Sequence, residues 1–144
     1  MGKWPERIAV VDAASEPLNG DVLLPFAFEE YYSRKVEQGA VPLLHFWRHS
    51  KAFVLGLRDR SLPRVRDAVH WLKEKGYSVA VRHSGGAAVP LDEGVVNVSL
   101  ILPKEAGETD FHADFARMAD LLKSAVAPYA VNVAAGEIEG AYCP

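Results

Sequence analysis

Two apolar, β-branched runs on either side of a glycine pair are the feature that most constrains this chain. The first run, Tyr77–Val81, leads into Ser84-Gly85-Gly86, and the second, Val95–Leu102, follows a turn at Asp92-Glu93. Such runs predict buried strands. Adjacent glycines allow a positive φ and the close approach of another group. The stretch predicts a functional loop at a sheet edge, although a tight hairpin without function has the same pattern.

The composition is that of one soluble globular domain spanning all 144 residues. A net charge of −3 gives no case for a nucleic-acid partner. No apolar run reaches the roughly 18 residues needed to span a bilayer, so no membrane partner is expected. Four arginines between residues 58 and 66 form the one local basic cluster, which is typical of a solvated loop and helix start.

Hydrophobic spacing predicts three helices. They cover residues 21–38, residues 61–75 with Ser61 as the cap, and a segment that starts at Thr109 or Asp110 and ends before Pro128. Gly39 and Gly76 are the expected stops of the first two. The third helix carries an apolar stripe that we expect to be core, made of Phe111, Phe115, Met118, Leu121, Leu122 and Ala125.

Strands are predicted at residues 8–11, 42–47, 52–55, 77–81, 95–102 and 131–133. The polar segment 48–51 predicts a hairpin between the second and third of these strands, closed by Gly56. Hairpins require antiparallel pairing. The order of elements therefore predicts an α+β fold, with a mostly antiparallel sheet and helices packed on it.

Cys143 is the one side chain that can act as a strong nucleophile without a helper base, because a few per cent of a free thiol is thiolate near neutral pH. As the single cysteine it can form no internal disulfide, which fits the reducing cytoplasm. It also leaves no cysteine-based zinc site. His45 and His49 are four residues apart in a segment that alternates like a strand, so we predict no metal site. The glycine pair matches neither a Walker loop nor a serine nucleophile elbow.

The run Arg82-His83-Ser84-Gly85-Gly86, followed by Asn97-Val98-Ser99, resembles the signature of the lipoate–protein ligase, octanoyltransferase and biotin ligase superfamily. Residues 44–47 and 53–56 resemble the family's first hairpin. Residues 139–144 resemble the segment that carries an acyl-accepting cysteine in one branch, the octanoyl-[glycine cleavage H protein]:protein N-octanoyltransferases. The resemblance implies that residues 1–144 are the N-terminal portion of a biotin/lipoate protein ligase-like catalytic domain.

The resemblance also implies a site and partners. Cys143 would be catalytic, and Arg82, His83, Ser84, Gly85, Gly86 and Asn97 would bind substrate. Val89 and Val98 would line a tunnel for the acyl tail. The donor would be glycine cleavage H protein carrying an octanoyl or lipoyl group, and the acceptors would be lipoyl domains of 2-oxoacid dehydrogenases. No cofactor is implied.

Two departures from the ligase pattern favour the cysteine transferase. Val81 stands where ligases have a first arginine, and Leu91 stands where they have a histidine. An ATP- and Mg²⁺-using ligase and a non-catalytic module that binds carrier domains stay open as alternatives. The transferases carry a lysine after the cysteine that activates it, and no lysine here matches that segment. We therefore expect a truncated chain that has the cysteine without its activating lysine, and such a chain can fold and yet be inactive.

Overall fold

The structure is a computed structural model that describes residues 4–104, 107, 110–129 and 133. Six strands and three helices follow one another along the described chain. They are β1 (Ala9–Leu18), α1 (Leu23–Glu37), β2 (Leu43–His49), β3 (Lys51–Leu55), α2 (Val65–Glu74), β4 (Ser78–Val81), β5 (Val89–Asp92), β6 (Asn97–Ile101) and α3 (Phe111–Val126). A short 3₁₀ turn, Leu57–Ser61, precedes α2. The predicted strand at 131–133 lies largely outside the described residues, as does Cys143.

The strands form two three-stranded sheets with the same plan. In the first sheet the order is β1-β2-β6, and in the second it is β4-β3-β5. Each sheet holds one parallel pair, β1 with β2 and β3 with β4, and one antiparallel pair. A helix lies between the two strands of each parallel pair, as a parallel crossover requires. The α+β prediction is confirmed, but two of the four strand pairings among the described residues are parallel, so the sheets are mixed and not mostly antiparallel.

The predicted hairpin between β2 and β3 is wrong. β2 runs to His49 and β3 starts at Lys51, so only Ser50 separates them, and the two strands belong to different sheets. A hairpin loop needs at least two residues. The Ser50 N–H instead donates to the Leu18 carbonyl over 2.7 Å, and this bond ties the junction between β2 and β3 to the end of β1.

The core lies where the two sheets and α1 meet. β2 alternates strictly between buried and half-buried residues, and its buried set is Leu43, His45, Trp47 and His49. Trp47 stacks edge-to-face on Phe26 of α1, with ring centroids 5.3 Å apart. Side chains from both sheets complete the cluster, which comprises Val22, Trp47, Ala52, Val54, Ala80 and Leu91.

Local chemistry sets the helix ends. α1 begins where the Leu23 N–H donates to the Asp21 carboxylate over 2.9 Å, and it ends before Gly39, whose φ is +95°. α2 ends before Gly76 at φ +80°. Asp110, one of the two expected caps, caps α3 by accepting the Ala113 N–H over 3.0 Å. These glycine stops confirm the sequence predictions.

The start of α2 and the burial of α3 differ from expectation. Ser61 ends the 3₁₀ turn and caps nothing, because Pro63 keeps Leu62 extended and α2 begins only after Arg64. On α3, Phe115 is 74% exposed and Leu122 is 44% exposed, so the predicted core stripe is not buried among the described residues. A groove of about 420 Å³ lies between the helix and β6, and Phe115 and Met118 line it.

Among the described residues, no helix combines the length and the apolarity that a membrane crossing needs.

Candidate functional site

The glycine loop, defined as residues 82–88, joins β4 to β5 at the end of the second sheet. The backbone of Arg82 continues the hydrogen-bond pairing of β4 with β3 by one bond, because the Arg82 N–H donates to the Leu55 carbonyl over 2.9 Å. Gly86 adopts φ +87°, a conformation that favours glycine. The loop follows the predicted strand at 77–81, but it leads into β5, which the sequence did not predict, and not directly into the predicted strand at 95–102.

The Arg82 side chain turns back and holds the loop closed. Its guanidinium donates to the Gly85 carbonyl from Nη2 over 2.7 Å and from Nε over 3.1 Å. The same Nη2 donates to the Ala87 carbonyl over 2.9 Å, and Nη1 reaches the Val54 carbonyl over 3.4 Å. A planar cation suits this arrangement because its donors point along fixed directions. Arg82 therefore shapes the loop through its carbonyl groups.

A second loop abuts the first. The Leu57 N–H donates to the Ser84 carbonyl over 3.0 Å, and the Asp59 carboxylate accepts the Gly56 N–H over 2.7 Å. A Cβ on Gly56 would lie 1.9 Å from the Gly86 carbonyl oxygen, which is far inside van der Waals contact. Only glycine fits there. The sequence pattern around Gly56 predicts only the end of a hairpin, because the residue that Gly56 approaches is 30 positions away.

Two backbone donors of the loop have no partner in the part of the chain that the structure describes. Within the described residues, the N–H groups of Gly85 and Gly86 make no hydrogen bond, whereas Arg82 occupies the carbonyl of Gly85. Adjacent free N–H groups of this kind can bind a carbonyl oxygen or an anion. Arg82 thus leaves the donor side of the loop available to a ligand.

A cavity of about 250 Å³ lies between the start of the glycine loop and α1. Leu23, Phe26 and Ala27 of α1 form one wall, and Val81, Arg82 and His83 form the other, with Glu30 also lining it. The mixed lining, aliphatic with a few polar side chains, is typical of sites that hold an apolar group with a polar end. Periodicity placed these α1 residues on a helix, but nothing in the sequence indicates that they face residue 83.

Asn97 lies apart from the loop. Its side-chain amide donates to the Trp47 carbonyl over 3.4 Å at the end of the first sheet, and no hydrogen bond joins it to the described loop residues. Val89 and Val98, the expected tunnel residues, lie on strands of different sheets. Val98 lines the groove beneath α3. Val89 directly follows the glycine loop and pairs with Val54, whereas Asn97 lies on β6 of the other sheet.

The two buried histidines have structural partners. Glu29 of α1 accepts hydrogen bonds from His45 Nδ1 over 2.9 Å and from Trp47 Nε1 over 3.1 Å. His49 Nδ1 accepts the Lys51 N–H over 3.0 Å, so its Nε2 carries the proton donated to the Gly20 carbonyl. No group of three metal-ligating side chains occurs among the described residues.

Comparison with known proteins gives one consistent family. Residues 21–143 match the lipoyl protein ligase A/B catalytic domain. A Bacillus velezensis protein named octanoyl-[GcvH]:protein N-octanoyltransferase is 37% identical over 151 aligned positions, which cover 100% of this chain and 53% of that protein. A Geobacillus kaustophilus protein of the same name is 38% identical over 125 positions, covering 86% of this chain and 44% of the relative. The chain spans about half the length of these relatives.

Solved structures agree on the fold. The crystal structure of a lipoate-protein ligase A bound with ATP has a TM-score of 0.72 at 22% identity, covering 96% of this chain and 52% of that one. A bi-partite lipoate protein ligase from Thermoplasma acidophilum has a TM-score of 0.70 at 22% identity, covering 92% of this chain and 48% of that one. The match over residues 21–143 and the relatives at 37–38% identity establish that the chain belongs to the lipoyl protein ligase A/B catalytic domain family.

Proposed function

We propose that this chain supplies the acyl site of an octanoyl transferase in protein lipoylation. The observation that carries the proposal is the glycine loop, which combines two free backbone N–H groups with a partly apolar cavity at its start. The relatives named octanoyl-[GcvH]:protein N-octanoyltransferase, at 37–38% identity, support octanoyl as the transferred group. The acyl chain would lie along the aliphatic wall of the cavity with its carbonyl at the loop.

The proposed reaction has two steps that mirror each other. The Cys143 thiolate attacks the carbonyl of an octanoyl-lysine amide, so that a C–S bond forms and the C–N bond breaks. The leaving lysine amine takes up a proton. A second lysine, as the free amine, then attacks the thioester carbonyl, so that a C–N bond forms, the C–S bond breaks and the thiolate is regenerated, while the new amide nitrogen gives up a proton to water.

The residues of the loop have separate roles in this proposal. The N–H groups of Gly85 and Gly86 stabilise the oxyanion of each tetrahedral intermediate, a contribution of about 3 kcal/mol per donor in other acyl-transfer enzymes. Arg82 positions those donors through the carbonyl groups it holds. His83 and Ser84 border the acyl group. Asn97 would act only by holding Trp47 and β2 in place.

The donor would be the acylated H protein, and the acceptor would be a lipoyl domain of a 2-oxoacid dehydrogenase. The name of the relatives supports the donor, since it specifies an octanoyl-[GcvH] substrate for those proteins. We place the reaction in the cytoplasm, where a free Cys143 thiol stays reduced. No lysine of this chain is assigned the role of activating that thiol.

The test mixes this chain with octanoylated H protein and measures intact mass in mild acid. The expected product carries one octanoyl group, loses it to hydroxylamine, and is absent in the Cys143→Ser protein. Ser124→Ala is the matched control, because it removes a hydroxyl outside the site and should be acylated like the parent chain.

Three other results would contradict this mechanism. If the Cys143→Ser protein is still acylated, the reaction does not pass through a thioester at Cys143. Attachment of lipoate that requires ATP and not Cys143 would indicate a ligase. A stable complex with H protein that never yields a thioester would indicate a non-catalytic module that binds carrier domains.

A further inference from the structure

A second cavity, of about 450 Å³, lies between α2 and the ends of β3 and β4. We name it the basic groove. Its aliphatic lining includes Leu55, Val69 and Val81, and its exposed rim carries Arg60, Arg66 and Lys73. The sequence pattern of these arginines predicts a solvated loop and helix start. The fold instead collects two of them with a lysine from the far end of α2 around one apolar floor.

The positive charge of the rim is not neutralised locally. In the described part of the chain, no ion pair involves Arg60, Arg66 or Lys73. The acidic residues nearby are engaged elsewhere. Asp59 accepts the Gly56 N–H, Asp67 lies 3.9 Å from Arg64, and Glu74 lies 3.3 Å from His70, which also lines the groove. The rim is therefore a cationic patch on a chain whose net charge is −3.

The basic groove and the small cavity beside the glycine loop share one lining residue. Val81, the last residue of β4, lines both this groove and the cavity beside His83. Leu55 on the groove floor pairs with Val81 across β3 and β4, and its carbonyl accepts the Arg82 N–H. A protein seated in the groove would thus lie next to the entrance of the proposed acyl site.

We propose that the basic groove docks an acidic face of the carrier domain that bears the acyl-lysine, so that the lysine reaches the glycine loop past Val81. This proposal rests on the proposed function. An apolar floor with an arginine-bearing polar rim has the composition of a protein–protein interface. In a phosphate site, by contrast, several backbone N–H groups usually point at the same position. Charge complementarity would speed encounter and orient the carrier.

The test measures binding of fluorescently labelled, octanoylated H protein of net negative charge. The variant is Arg60→Gln/Arg66→Gln/Lys73→Gln. Its matched control is Lys35→Gln/Arg117→Gln/Lys123→Gln, which removes the same charge from α1 and α3. All six side chains carry their charge outside the core, so both proteins should unfold at the temperature of the parent chain.

We expect the groove variant to raise Kd about tenfold or more at low salt, and to flatten the dependence of Kd on salt concentration. The control should leave Kd within about twofold, as for distant surface charges. Acylation of Cys143 by p-nitrophenyl octanoate, a donor without a carrier, should proceed equally in the groove variant and the parent chain.

The outcomes separate the docking proposal from the proposed function. If the groove variant loses carrier binding and no protein is acylated by either donor, the docking surface is supported and the transferase function is contradicted. Three results would overturn the docking surface. The groove variant could bind the carrier with the same Kd as the parent chain, the control variant could raise Kd as much as the groove variant does, or the parent chain could fail to bind the carrier at all. If pyrophosphate binds through Arg60, Arg66 and Lys73 while the groove variant binds the carrier as the parent chain does, the groove is a phosphate site and not a docking surface.

Discussion

Two residues far apart in sequence determine the shape of the glycine loop. Gly56 lets the loop approach β3, and Arg82 closes the loop by donating to its carbonyl groups. The contact through Gly56 is one of backbone against backbone, so no side chain can move aside to relieve a substitution. A methyl group added at Gly56 should therefore lower the stability of the fold and also distort the glycine loop.

Gly56→Ala should lower the free energy of unfolding by about 1–3 kcal/mol, the range for an overpacked interior position. The reason is that the added Cβ would lie 1.9 Å from the Gly86 carbonyl oxygen. Urea unfolding followed by tryptophan fluorescence measures the change. Gly20→Ala is the matched control, since nothing lies within 4 Å of a Cβ at that position. Equal stability of the two variants would show that the loops do not meet as described.

At the scale of elements, a single carboxylate ties α1 to the first sheet. Glu29 accepts from two ring N–H groups of β2, those of His45 and Trp47, whose residues are 4% and 1% exposed. Both rings would lose a hydrogen-bond partner in the interior without it. Phe28 adds an edge-to-face contact with His45, at 5.0 Å between centroids. The packing of α1 matters for the site because Leu23 and Phe26 wall the small cavity.

Glu29→Ala should destabilise the chain by about 2–4 kcal/mol, because two buried donors are each left unsatisfied. Glu30→Ala makes the matched control. Its carboxylate pairs with Arg34 on the helix surface at 54% exposure, so its loss should cost less than about 1 kcal/mol. Thermal unfolding by circular dichroism compares the two. A control that unfolds as readily as Glu29→Ala would show that the interior hydrogen bonds contribute little.

Over the whole molecule, packing is concentrated around the two sheets and α1. The buried cluster takes residues from β2, β3, β4 and β5 with Val22 at the start of α1. α3 has no buried residue among those described, and Phe115 on its surface is 74% exposed. Its ion pair from Asp114 to Lys104, at 2.5 Å, connects it to the segment after β6. Stability should therefore be distributed unevenly.

Amide hydrogen exchange should be slowest in β2 and β3 and faster by several orders of magnitude in α3. Local opening of α3 exposes little apolar surface, whereas opening β2 disrupts the core. Exchange monitored by NMR or mass spectrometry, on this chain, measures both regions in one sample. α1 is the internal control, as a helix of similar length that packs on the sheet. Protection of α3 equal to that of α1 would contradict the expected distribution.

Local pattern predicted most of the elements and the place of the site. The spacing of apolar residues and the glycines at 39 and 76 gave α1 and the end of α2, since these depend on the backbone within a few positions. The Arg82–Gly86 run indicated the loop for the same reason. The start of α2 was missed because Pro63, which delays it, lies inside an otherwise helical pattern.

Strand partners and the closing contacts of the site depend on the tertiary structure. β2 and β3 are adjacent in sequence with the alternation of a hairpin, yet each pairs in its own sheet. Alternation determines which face of a strand is buried and not which strand lies beside it. The approach of Gly56 to Gly86, and the gathering of Arg60, Arg66 and Lys73 around one groove, likewise join segments through the fold. The sequence alone therefore determined the elements and the loop chemistry, and tertiary packing decided what that loop and the basic groove face.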